Sequence, residues 1–164
     1  MGDLFALQAS AVMSPCGRYR YLLRRQLCPA GTRVCLFVML NPSTADATMD
    51  DPTIRRCAGF ARAWGFDWLH VVNLFAWRAT DPLALRTARD PVGPENDVHL
   101  QAEVVRADRV VFAWGRHGGY LGRGQAVREA LAFRQVHVLG QNADGSPKHP
   151  LCMPAASLPT VLQG

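Results

Sequence analysis

Lysine is almost missing from this chain. Of its 18 basic residues only Lys148 is a lysine, and the rest are arginine. A GC-rich coding sequence produces that bias by itself. The formal charge of +5 and pI near 9.3 therefore permit contact with phosphates without demonstrating it. Long apolar runs are also missing. The longest, "VCLFVML" at 34–40, is far too short to cross a bilayer, so no membrane association is expected. No basic stretch followed by an apolar one marks a secretion signal, and a cytoplasmic protein is expected. None of the five cysteines stands in Cys-x-x-Cys spacing, which argues against zinc and iron–sulfur sites. Cys35 and Cys57 fall among apolar residues, where cysteine acts as a small hydrophobe. No metal or cofactor is expected, and no internal repeat is visible.

What is present suits one α/β domain over residues 1–164, with 49% hydrophobic residues. "RYRYLL" at 18–23 alternates as an edge strand does, which suggests an N-terminal edge hairpin. Its arginines belong to an acid-free group, Arg18, Arg20, Arg24, Arg25 and Arg33, open to two readings: a solvated edge or part of a phosphate-facing surface. "RVCLFVML" at 33–40 reads as a strand buried on both faces. Asp51 suits a helix N-cap and Pro52 the first helical position. Ile54, Cys57, Ala58, Ala61 and Trp64 recur on one helical face until Gly65.

Further strands are expected at 69–75, 109–114 and 135–140. Between them the pattern predicts a short helical piece at 83–88, a helix buried through Val98, Ala102 and Val105, and a helix carrying Val127, Ala130 and Leu131. A short terminal helix is expected at 155–162. The alternation predicts a three-layer α-β-α fold around a central sheet of four parallel strands. Right-handed crossovers then gather the C-terminal ends of those strands on one rim, where such sheets bind ligands.

Polar segments collect at that rim: Asn41-Pro42-Ser43-Thr44, Asn73, Trp114-Gly115-Arg116-His117, and Lys148-His149-Pro150. The loop from Ser43 to Asp50 is longer than the two to six residues or so that such a connection needs. It is expected to wall a pocket.

In this order the segments resemble the uracil-DNA glycosylase superfamily. "MLNPSTAD" is similar to its first motif in the Asn-Pro version, "HVVN" to the strand ending in a base-reading Asn, "VVFAWG" to the strand ending in Trp-Gly, and "KHPL" to its His-Pro motif. The longer phrasing "NPSTAD…DPTIRRC…VVNLFAWRATDP…PKHPL" resembles a small bacterial and phage family of unknown function. The superfamily resemblance implies a glycosylase-like fold and hydrolysis of the N-glycosidic bond of a base in DNA or a nucleotide.

Asn41 would then position the water and His149 would support the leaving base. Asp46 is a candidate for the carboxylate that Asn41 lacks, since an amide cannot take the water's proton. Asn73 would read the base edge, with Phe75 or Trp77 stacking on it and Leu151 wedging the helix. Pro42, Ser43, Trp114 and Lys148 complete the expected binding set. The chain departs from the superfamily in lacking an aromatic soon after the first motif and a Ser-Pro after the His-Pro. The alternative is a non-catalytic nucleic-acid or nucleotide-binding module on the same fold. DNA or a nucleotide is the expected partner in either case, and the sequence does not say which protein partners, if any, it has.

Overall fold

The computed structural model describes residues 6–164. The leaderless reading of the N-terminus falls in part outside that range. Seven strands form one sheet in the order β1-β2-β4-β3-β5-β6-β7. They are β1 (Ala9–Met13), β2 (Arg20–Gln26), β3 (Val34–Met39), β4 (Trp68–Asn73), β5 (Arg109–Phe112), β6 (His137–Val138) and β7 (Thr160–Val161). The inner run β4-β3-β5-β6 is parallel, as the βα alternation requires. The sheet is nevertheless larger than four strands, because antiparallel partners extend it at both ends. β2 is not the edge strand: β1 covers one side of it and β4 the other.

The helices are α1 (Pro52–Ala63), α2 (Asn96–Arg106) and α3 (Arg123–Ala130). α1 covers one face of the sheet. Its buried Ile54, Cys57, Ala58, Phe60 and Ala61 meet Cys35, Phe37 and Met39 of β3. Asp51 caps this helix by accepting the N–H of Ile54 at 2.8 Å, and Pro52 opens it. Leu100 and Val104 of α2 and Val127 of α3 cover the other face, against Leu36, Val38 and Phe112.

Two helical expectations are corrected. Val98, Ala102 and Val105 of α2 point to solvent, with Val98 and Val105 about 70% exposed. The buried face of α2 carries Glu103 instead, whose carboxylate lies 2.6 Å from His70 of β4. Burial alone would push the Glu103 carboxyl up, but His70, Arg24 and Arg106 outweigh it and hold the carboxyl low. Residues 155–162 do not form a terminal helix. Thr160 and Val161 pair with β6, giving the short parallel strand an outer partner. Among the described residues no helix is long and apolar enough to cross a membrane. The five cysteines are free, with Cys35 and Cys57 buried.

Candidate functional site

At the C-terminal ends of β4, β3 and β5 a cleft of about 520 Å³ opens on the side that α1 covers. Strand order explains its position. The chain passes from β3 to β4 on one side and then returns across to β5 on the other, so the connections diverge beside the end of β3. Open α/β sheets bind ligands at such a point.

Asn73 ends β4. Alternation along this strand puts it on the same face as Leu69 and Val71, which pack under α1. It lines the cleft and is 1% exposed, yet neither Nδ2 nor Oδ1 of its amide has a hydrogen-bond partner among the described residues. Buried polar groups nearly always have partners. Asn73 thus holds a donor and an acceptor open side by side at the cleft. The backbone around the amide is secured separately, by Asn96 Nδ2 donating to the carbonyls of Asn73 and Leu74 at 2.9 and 3.1 Å.

Asn41 also lines the cleft. Its Nδ2 donates to the carbonyls of Pro42 and Ala79, at 3.0 and 2.8 Å, and ties the ends of two rim loops together. Its Oδ1 makes no hydrogen bond to the described residues and remains an acceptor. His149 precedes a short helical turn at Pro150–Cys152, and its Nδ1 accepts the N–H of Leu151 at 3.2 Å. The neutral ring therefore carries its proton on Nε2, ready to donate. Burial pushes the His149 pKa down, and the negative charge of Asp51 partly offsets that.

Arg20 reaches the cleft through a bulge. Val12 pairs with Leu22 but Met13 pairs with Arg20, so Tyr21 is an extra residue in β2. Such an insertion shifts the in–out parity of a strand and re-aims the side chains beyond it. Without it Arg20 would share a face with Leu22 and Arg24, toward α2. With it, Arg20 lines the cleft at 2% exposure, and one guanidinium nitrogen, Nη1, donates to the Ala45 carbonyl at 2.9 Å. Its Nε has no partner. Burial pushes its pKa down to about 10 despite the opposing pull of Asp51, and no direct ion pair joins the two residues. Asp51 is thus more than a helix cap. Its Oδ1 holds the Ile54 N–H, Oδ2 accepts nothing from the described residues, and the residue lines the cleft close enough to Arg20 and His149 for its charge to act on both.

The long loop after β3 wraps over a second buried arginine. Arg25 forms an ion pair with Asp50 at 2.7 Å and donates to the carbonyls of Asp46 and Met49. Asp46 does not line the cleft. Its Oδ1 accepts the N–H groups of Thr48 and Met49 at 2.9 and 2.8 Å, and these bonds hold its carboxyl below the usual range. The arginine group of the N-terminal region is therefore neither a uniformly solvated edge nor one phosphate-facing surface. Arg20 and Arg25 are buried, and Arg24 meets Glu103.

Ser43, Trp114 and Leu151 line the cleft as expected, Leu151 at its mouth and 48% exposed. Trp114 packs on Phe112, 4.6 Å between ring centroids, and the turn that follows hugs it. A Cβ on Gly118 would come within 2.1 Å of the indole, so only glycine fits there. The other expected binders lie elsewhere. Phe75 is fully buried against Tyr120, and Trp77 packs edge-on against Tyr19. Neither presents a ring to the cleft. Pro42 is buried beside it, and its carbonyl accepts the Ala79 N–H. Lys148 packs its stem against Gly140. Sequence reasoning missed Arg20 and the second face of Asp51. It placed Arg116 and His117 at the rim without giving either a role, and both line the cleft. No cluster of metal-ligating side chains occurs among the described residues.

These features define an α/β protein with a polar cleft at the strand-end rim of its parallel strands. The chain belongs to DUF1643, a family of proteins of unknown function, which matches residues 20–151. That span runs from the bulged end of β2 through the turn after His149, so it takes in Arg20, Asn41, Asp51, Asn73 and His149. No curated protein and no solved structure matches the chain.

Proposed function

We propose that the chain hydrolyses the N-glycosidic bond of a base held in this cleft, in DNA or in a nucleotide, on a uracil-DNA-glycosylase-like arrangement of its parallel strands. The observation that carries the reading is the buried, doubly unpartnered amide of Asn73, a donor–acceptor pair suited to the lactam edge of a base. It is supported by the company that amide keeps, since Asn41 and His149 come from the ends of other segments to line the same cleft.

The chemistry follows from these groups. A water held by Asn41 Oδ1 attacks the anomeric carbon as the bond to the base nitrogen breaks. The bonding electrons leave with the base, and the Nε2–H of His149 donates to the oxygen on which that charge develops. The water's proton needs a carboxylate, and Asp51 Oδ2 takes that role in place of Asp46. Arg20 lines the same cleft and brings a positive charge near Asp51. Leu151 at the mouth stands where a wedge would keep a base out of its stack. A cytoplasmic location and a DNA or nucleotide partner belong to this proposal.

One observation favours the alternative, a binding module without catalysis. The amide nitrogen of Asn41 is spent on backbone carbonyls, a purely structural task. Single-turnover release of base from oligonucleotides carrying uracil, hypoxanthine, xanthine or mismatches separates the two. Asp51→Asn is the informative variant, because asparagine caps a helix as well as aspartate does and so removes the charge without the cap. Hydrolysis requires a fall of about 10²–10⁴ in rate with little change in binding. Tight binding without release by the unaltered protein would leave the module reading.

A further inference from the structure

A second groove of about 290 Å³ continues from the mouth of the cleft and shares Pro82, Arg116 and His117 with it. Leu85, Arg86, Gly119 and Tyr120 complete its lining. The Arg86 guanidinium lies over the Tyr120 ring, 5.4 Å from its centroid, and Phe75 backs the ring 5.6 Å away. Arg86 and Arg116 are exposed, and neither forms an ion pair or a hydrogen bond with the described residues. Among the described residues no carboxylate forms an ion pair with either guanidinium. Asp81 accepts the Leu83 N–H at 2.9 Å. Asp144 feels the charge of Arg116 but spends its Oδ1 on Ser146. The groove therefore holds two uncommitted guanidinium groups beside an aromatic ring, one of them supported on that ring. After Tyr120 the chain turns through Leu121 in the left-handed region, at φ +54 and 66% exposed. A leucine adopts that conformation only when its surroundings impose it.

We propose that this groove is a phosphate-binding extension of the cleft, with Arg86 and Arg116 gripping a phosphate covalently attached to the nucleoside whose base lies against Asn73. Guanidinium groups suit phosphate because their paired N–H donors match two of its oxygens. The shared wall sets the two spaces side by side, so on the base-in-cleft reading a ligand filling both carries a base and an anionic group joined through a sugar. The inference rests on the base-in-cleft reading for the identity of the attached group. The phosphate grip itself does not depend on catalysis. The phosphate has two sources, the terminal group of a free nucleotide or a diester in a strand.

The test is a set of calorimetric titrations on the unaltered full chain, on Arg86→Ala and on Arg86→Ala/Arg116→Ala. The probes are inorganic phosphate, deoxyuridine, deoxyuridine monophosphate and a short single strand with one uracil. The monophosphate should bind about tenfold more tightly than the nucleoside. Inorganic phosphate should compete for that difference. Arg86→Ala should remove most of the preference while leaving nucleoside affinity unchanged, and Arg86→Lys should restore only part of it, since lysine returns the charge without the fork.

A strand that binds more tightly than the monophosphate, with log affinity falling by about 0.7 per log salt for each phosphate held, assigns the groove to a diester. Equal affinities assign it to a free nucleotide. Should the base-in-cleft reading fail, the nucleoside will not bind, and loss of inorganic phosphate binding in the double variant still supports the groove. Equal binding of nucleoside and monophosphate by the unaltered protein overturns the proposal, as does a phosphate preference that survives both substitutions.

Discussion

Replacing Asn73 with leucine should stabilise this protein. The side chain is 1% exposed, and both polar atoms of its amide lack partners. Each buried group left unsatisfied costs about 1–3 kcal/mol of desolvation. Leucine has a similar branched shape, and the cleft gives its extra volume room. The amide's full penalty is an upper bound, because the cleft floor keeps some access to water, so a gain of about 1–3 kcal/mol is the working figure. For a domain of this size each kcal/mol moves the melting temperature by roughly 2–4 °C.

Asn96 is the internal control. It is equally buried and its Oδ1 also lacks a partner, but its Nδ2 satisfies two backbone carbonyls that leucine would leave unpaired, so Asn96→Leu should cost about 1–3 kcal/mol. Urea unfolding of the two variants gives the signs directly, and a change in midpoint without a change in slope assigns the effect to stability. Asn73→Leu should raise the midpoint and abolish ligand binding in the cleft, whereas Asn96→Leu should lower it. A protein sacrifices stability in this way where a site needs an open polar group. If Asn73→Leu destabilised the fold as much as Asn96→Leu, the amide would be an ordinary structural asparagine and the reasoning behind the cleft would fail.

Asp46→Ala should lower the melting temperature by a few degrees, because it frees the N–H groups of Thr48 and Met49, and should leave base release unchanged. Loss of release with an unaltered melting temperature would return Asp46 to the mechanism. For His149, burial lowers the folded pKa below the ordinary value of 6.5. Between the folded value and 6.5 the unfolded chain binds a proton that the folded chain does not. This group's effect on stability is therefore nil above that window, and stability is lost as pH falls through it. An NMR titration of the ring should give a midpoint below 6.5, and His149→Gln should flatten that part of the pH–stability curve. A midpoint above 6.5 would contradict the buried, neutral ring.

Much of the fold was legible because its signals are local. The apolar run at 34–40, the Asp51-Pro52 start of α1, its spaced apolar face and the glycine that ends it each depend on residues a few positions apart. Chain alternation then placed Asn41, Asn73, Trp114 and His149 around one rim, and those residues line the cleft.

What escaped depended on distant partners. A period-two pattern gives the facing of Arg20 only while the strand is unbroken, and the bulge at Tyr21 reverses it. The inner face of α2 was misread because Glu103 looks like a solvent residue until His70 of β4 is beside it. Phe75 and Trp77 looked available for stacking because hydrophobicity does not say whether a ring faces a ligand or the core. β7 is two residues long and exists as a strand only through its pairing with β6. Asp51 was visible as a cap because capping is local chemistry. Its place in one cleft with Arg20 and His149 was not, because three separate stretches of chain meet there only when the sheet is assembled.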